Sequence, residues 1–193
     1  MDEVSPRDYK RLRRIEVARR ARALNFACFG NQRFLASGRA CGWLVDSIER
    51  ALAKHRIDLW AYCFMPSHVH LLVFPRADEP RIDAFCFSVK KSVTEKAVRW
   101  VETNAPRFLE RMKDEQPNGR VAYRFWQRGG GFDRNLWSAR AIWGMIDYIH
   151  RNPVVEGLCE NGSDWKWSSA GTYKDGREGP LKLDRGKLRQ RPD

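Results

Sequence analysis

Two histidines one residue apart, His68 and His70, stand in the stretch Ala61-Tyr62-Cys63-Phe64-Met65-Pro66-Ser67-His68-Val69-His70-Leu71-Leu72-Val73. On an extended strand, residues two apart project from the same face, so the two imidazoles stand side by side and can share one divalent ion. A partly buried pair with hydrogen-bond partners would satisfy the same spacing without a metal. Tyr148 and Asn152, in Asp147-Tyr148-Ile149-His150-Arg151-Asn152-Pro153-Val154, lie one helical turn apart and share a helix face. Alone, the tyrosine could cap a core, and an asparagine just before proline could cap a helix C-terminus. Arg151 adjoins them and can hold a phosphate. The stretch Tyr123-Arg124-Phe125-Trp126-Gln127-Arg128-Gly129-Gly130-Gly131-Phe132-Asp133-Arg134 interleaves aromatics with arginines. That pattern suits stacking on unpaired bases together with phosphate contacts, and it equally suits a core strand with a flexible turn.

The elements that would position these groups follow from periodicity. Leu24 to Phe29 reads as a strand. Leu44, Ile48 and Leu52 at helical spacing predict an amphipathic helix between about Gly38 and His55. Ile57 to Phe64 and His68 to Phe74 read as two strands joined by the Met65-Pro66-Ser67 turn. Pro80 opens a long helix with Ile82, Phe85, Val89, Val93, Ala97 and Trp100 on one face. Asn104 to Gly119 reads as a flexible insertion and Val121 to Gln127 as a fourth strand. A helix from about Trp137 should stop near Asn152, because Pro153 disfavours helical geometry in the residue before it. The order is the split βαββαβ of ferredoxin-like folds, an α+β class with an antiparallel sheet, plus an added C-terminal helix. The expected organisation is a basic N-terminal segment (1–22), a domain (23–170) and a basic, loosely ordered tail (171–193).

Composition narrows the function classes. The 193 residues carry a formal charge of +12 and a pI near 9.9, which favours polyanionic partners through salt-sensitive phosphate contacts. No apolar run approaches the roughly 20 residues of a membrane span. Met1 to Pro6 lacks the charged start and apolar stretch of a signal peptide, so a cytoplasmic protein with no membrane partner is expected. Five cysteines, an odd number with no C-x-x-C pair, argue against a disulfide framework and against a cysteine-based zinc site.

Taken together, four stretches in this order resemble the REP-associated tyrosine transposases, single-tyrosine transposases of the HUH endonuclease class. They are Met65-Pro66-Ser67-His68-Val69-His70-Leu71-Leu72, Phe125-Trp126-Gln127-Arg128 with Phe132-Asp133-Arg134, Tyr148 to Val154, and Trp167-Ser168-Ser169. The resemblance spans roughly Leu24 to Ser169. It implies that His68, His70 and Asn152 are ligands of Mg²⁺ or Mn²⁺ and that Tyr148 is the catalytic nucleophile, on the added helix. It further implies that single-stranded or hairpin DNA is cleaved and rejoined through a 5′-phosphotyrosine. Arg124, Trp126, Arg128, Phe132, Arg134 and Arg151 are the expected DNA contacts, and self-association is left open. Gly130-Gly131 departs from the family pattern, which would carry a bulkier residue before Phe132. A non-catalytic nucleic-acid-binding protein on the same sheet explains the charge but not the histidine, tyrosine and asparagine set. A two-metal hydrolase would need more ligands than His55 and His150 can add.

Overall fold

The computed structural model describes residues 19–192. Strand β1 (Ala21–Ala27) leads through two short turns to helix α1 (Gly38–His55), then strands β2 (Ile57–Phe64) and β3 (His68–Pro75) and the long helix α2 (Ile82–Asn104). Next come a one-turn helix α3 (Leu109–Met112) and short strands β4 (Lys113–Glu115) and β5 (Val121–Tyr123). Strand β6 (Phe132–Leu136), helix α4 (Ala139–Val155) and helix α5 (Ala170–Asp175) complete the order. β1, β2, β3 and β6 form one antiparallel sheet in the order β2-β3-β1-β6. That is the ferredoxin-like arrangement, with α4 added.

The sheet separates two apolar layers. Leu24, Phe26, Val69, Leu71 and Val73 face α1 and α2, which bury Leu44, Ile48, Phe85 and Val89 against them. Ala21, Ala23, Trp60, Cys63 and Leu72 face the other way, toward Ile146 and Ile149 of α4. By strand alternation His68 and His70 fall on this second side, with Leu72. The topology therefore brings the histidine strand directly under α4.

Several boundaries differ from the sequence expectation, each for a tertiary reason. The fourth sheet strand is β6, beyond the glycine run. Val121–Tyr123 instead pairs with β4 in a separate two-stranded ribbon, which replaces the expected flexible insertion. β1 begins at Ala21, and Arg22, expected in a basic arm, is 1% exposed and ion-paired with Asp133 of β6 at 2.9 Å. Residues 1–18 of the expected basic segment lie outside the described residues. The tail is docked rather than loose: Leu181 is buried in the α1/α2 core, and its backbone N–H donates to the Tyr62 hydroxyl at 3.3 Å. The Asp184 N–H reaches the Leu59 carbonyl at 3.0 Å, and Arg191 pairs with Asp147 at 2.6 Å. Among the described residues no helix is long and apolar enough to cross a membrane.

Candidate active site and nucleic-acid surface

α4 starts at the Ser138 cap, whose hydroxyl accepts the Ala141 N–H at 3.1 Å. It runs through Asn152 and past Pro153 to Val155, and Glu156 is the residue that caps it. A proline three residues from a helix end removes only one late hydrogen bond, and the backbone closes normally: Glu156 N–H donates to Asn152 O and Leu158 N–H to Pro153 O. The expected stop near Asn152 is thus corrected, and Asn152 is not the C-cap. It keeps the helical register that puts it one turn after Tyr148 on the same face.

The docking of α4 is specified by the segment after it. Residues 165–169 run along the free edge of β2: Phe64 N–H donates to Trp167 O at 2.8 Å and Ser169 N–H to Tyr62 O at 3.0 Å. The Ser169 hydroxyl also accepts the Tyr62 N–H at 3.0 Å and sits 2.8 Å from His150 Nε2. One serine thus ties α4 to β2. Trp165 Nε1–H donates to Phe64 O at 2.9 Å and fixes the same edge.

On β3 the two histidines turn toward each other. Their Nε2 atoms are 3.0 Å apart and their rings meet edge to face at 4.7 Å. Each Nδ1 has its own neighbour: Ser67 Oγ lies 3.2 Å from His68 Nδ1, and the Asn25 side-chain amide lies 3.2 Å from His70 Nδ1. Each Nδ1 thus has a polar partner that orients its ring, and the two Nε2 atoms are turned toward each other on the face beneath α4. Burial holds both imidazoles below the ordinary histidine range. His70 is pushed down to about 4 by burial, with the nearby His68 adding to the effect and a hydrogen bond to Asn152 opposing it. His68 is lowered by burial against the opposing charge of Glu156. Both are neutral at pH 7, the state a ligand needs.

The Tyr148 ring stands 5.6 Å from His70, edge to face, and is 54% exposed. Asn152 donates from Nδ2 to the Tyr148 carbonyl at 2.7 Å. Tyr148, His70, Asn25, Met145 and Phe132 line one cleft between α4, β1 and β6. Two imidazoles and an amide oxygen form a donor set that suits Mn²⁺, or Mg²⁺ with waters completing its shell. Among the described residues, no three side chains of the His, Cys, Asp and Glu types are gathered to hold an ion.

The expected nucleic-acid contacts separate into two groups. Phe132 is 53% exposed, Arg134 shares its side of β6, and Arg151 is exposed on α4. Phe132 lines the cleft, whereas Arg151 lines a separate pocket with Asp147, His150 and Arg191. Trp126, expected as a stacking platform, is instead 4% exposed, wedged edge-on against Phe26 and Phe125. No base can reach it. Arg124 and Arg128 both bind the Asp114 carboxylate, which their hydrogen bonds hold below its ordinary range, so two guanidiniums share one anion away from the cleft. Gly131 has φ +73°, and a side chain there would collide with the Asn25 carbonyl, so the backbone at this position requires glycine.

Sequence reasoning missed Asn25, Ser67, Ser169 and Glu156. The signal for Asn25 was present: it is the single polar residue of the strand Leu24-Asn25-Phe26-Ala27-Cys28-Phe29. Partners of Nδ1 atoms across strands carry no sequence spacing.

Sheet order, the histidine strand and the tyrosine helix together define a ferredoxin-like α+β domain with a His-x-His pair beneath an added helix. The same fold is found in the structure of a REP-associated tyrosine transposase bound to a REP hairpin: TM-score 0.68, 91% of this chain and 92% of that chain, 15% identity. A putative transposase from Deinococcus radiodurans R1 aligns with 72% of this chain and 94% of its own at 20% identity, with a TM-score of 0.44, too low to mark a shared fold. No protein-family model and no curated protein matches the chain.

Proposed function

We propose that this protein is a metal-dependent single-tyrosine DNA endonuclease and strand transferase of the REP-associated transposase type. The observation that carries the reading is the convergence of Tyr148 and Asn152, on one face of α4, with the facing Nε2 atoms of His68 and His70 on β3. The fold shared with a transposase bound to a REP hairpin supports it, and that relative's hairpin makes single-stranded, hairpin-forming DNA the proposed substrate. A divalent ion held by His68, His70 and Asn152 would polarise a phosphate oxygen and orient the phosphodiester for in-line attack.

The Tyr148 hydroxyl attacks phosphorus and loses its proton as the new Tyr–O–P bond forms. The bond to the leaving 3′ oxygen breaks, and that oxygen takes up a proton to leave a free 3′-OH. The phosphotyrosine keeps the ester energy, so a second 3′-OH can reverse the step without ATP. Phe132 offers an exposed ring for an unpaired base, and Arg134 and Arg151 offer phosphate contacts. The +12 charge supports a salt-sensitive polyanion partner.

Incubation with a single-stranded hairpin oligonucleotide and Mn²⁺ or Mg²⁺, resolved on a denaturing gel, tests this. We expect a covalent protein–DNA adduct that chelation abolishes. Tyr148→Phe should lose the adduct while its melting temperature and DNA affinity stay within error, since only an exposed hydroxyl is removed. Free cleavage products without an adduct would indicate hydrolysis, and a mobility shift without cleavage would indicate binding alone.

A further inference from the structure

Beside the Tyr148 face of α4 lies an open pocket of about 550 Å³ that the cleft does not include. Asp147 and Arg151 of α4, Glu160 of the following loop, Lys174 of α5 and Arg191 of the tail face it. The loop is pressed against the helix: a β-carbon on Gly162 would stand 2.2 Å from the His150 carbonyl oxygen, so this wall forms only with glycine. Lys174 Nζ donates to the Ser163 hydroxyl and Arg177 Nη1 to the Ser163 carbonyl, both at 3.3 Å, which ties α5 and the segment after it to the same loop.

The charges of the pocket are unevenly spent. Arg191 holds the Asp147 carboxylate with both nitrogens of its fork, at 2.6 and 3.2 Å. Arg151 and Lys174 are exposed, and among the described residues neither has a carboxylate partner. Three cations (Arg151, Lys174, Arg191) against two carboxylates (Asp147, Glu160) leave a positive pocket. Among the described residues lining it there is no Phe, Tyr or Trp ring on which a base could stack, so what it suits is a phosphate rather than a base. Its place on the helix matters equally. Tyr148 and Arg151 are three residues apart, which puts their β-carbons about 5–6 Å apart. A strand rises about 3.4 Å per nucleotide, so the pocket lies within about two nucleotides of a phosphodiester at Tyr148.

We propose that this pocket seats a backbone phosphate of the DNA strand flanking the scissile phosphodiester, held by Arg151, Lys174 and Arg191. The proposal rests on the reading of Tyr148 as a nucleophile acting on single-stranded DNA. It gives α5 and the docked tail a part in binding: the fork of Arg191 and the point charge of Lys174 complete a site that α4 alone leaves open. The contact is independent of base sequence.

The test is a fluorescence-anisotropy titration in metal-free buffer, so that cleavage does not intervene, across a series of salt concentrations. The probes are a labelled DNA hairpin with single-stranded oligothymidine flanks and the same hairpin without flanks. The proteins are the full-length wild type, Arg151→Ala, Lys174→Ala and, as a control for net charge on a distant exposed face, Lys54→Ala. With the flanked probe, Arg151→Ala and Lys174→Ala should each lower the slope of log affinity against log salt by about 0.7, and so weaken binding about fivefold at about 0.1 M salt. With the bare hairpin both should match wild type, and Lys54→Ala should match it with either probe. Wild-type affinity and slope in both pocket variants on the flanked probe would overturn the pocket and leave the Tyr148 reading standing. Equal losses on the two probes, or an equal loss in Lys54→Ala, would also overturn it, since neither needs a flank phosphate in this pocket. No binding of either probe by the wild type would overturn both the pocket and the reading beneath it.

Discussion

Trp126 packs its indole between Phe26 and Phe125, while Phe132 leaves half its ring in solvent at the mouth of the cleft. The same motif thus supplies a core residue and a surface residue, and their substitutions should separate. Trp126→Ala should cost about 3–5 kcal/mol of stability, read by denaturant unfolding. Phe132→Ala should leave stability within about 0.5 kcal/mol but weaken binding of a single-stranded oligonucleotide by about 1–3 kcal/mol if a base stacks there. Equal stability losses would contradict the division. His150 shows how burial acts on a titratable group. It is pushed down to about 4 by desolvation, against the opposing charge of Asp147, with its Nε2 beside Ser169. The unfolded chain protonates this histidine below about 6.5 and the folded one only near 4, so the stability it contributes is complete above about 6.5 and lost as pH falls between the two. One such group gives a slope of at most about 1.4 kcal/mol per pH unit in that window. Metal-free His150→Gln should therefore lose stability less steeply than wild type between pH 6.5 and 4.5. An unchanged slope would show that His150 does not carry this dependence.

At the scale of elements, the approach of the glycine run to β1 decides where the fourth strand forms. Gly131 sits against the Asn25 carbonyl in a left-handed conformation, and only then does Phe132 enter the ladder opposite Asn25. Gly131→Ala combines an unfavourable φ with a backbone collision and should cost about 2 kcal/mol or more. Because Asn25 also neighbours His70, cleavage should fall with it. Urea unfolding and an adduct assay check both, and unchanged values in the two would mean that the turn tolerates a side chain. Val121–Tyr123 has the composition of a sheet strand, and periodicity alone placed it there. The structure pairs it with β4 instead, because Phe125 and Trp126 are drawn into the core directly after it.

For the whole molecule, the tail matters more than its composition suggests. Leu181 is 1% exposed in the α1/α2 core, and Trp143 Nε1–H donates to the Arg189 carbonyl at 3.1 Å, so the tail spans from that core to α4. Leu181→Ala should cost about 2–5 kcal/mol, measured by thermal or denaturant melting. A loss below about 0.5 kcal/mol would return the tail to the surface. The sequence by itself determined α1, β2, nearly all of β3, the buried face of α2 and the pairing of Tyr148 with Asn152, because periodicities of two and of about 3.6 residues are local properties of the chain. It also placed His68 and His70 on one strand face. Only the tertiary structure decided that this face lies under α4, that β6 rather than 121–127 completes the sheet, and that Trp126 and Leu181 are core while Arg22 is paired and buried. It alone brought Asn25, Ser169 and Glu156 to the histidines and the tyrosine helix. These facts depend on contacts between residues far apart in sequence, which the packing of two apolar layers on one sheet creates and no local spacing encodes.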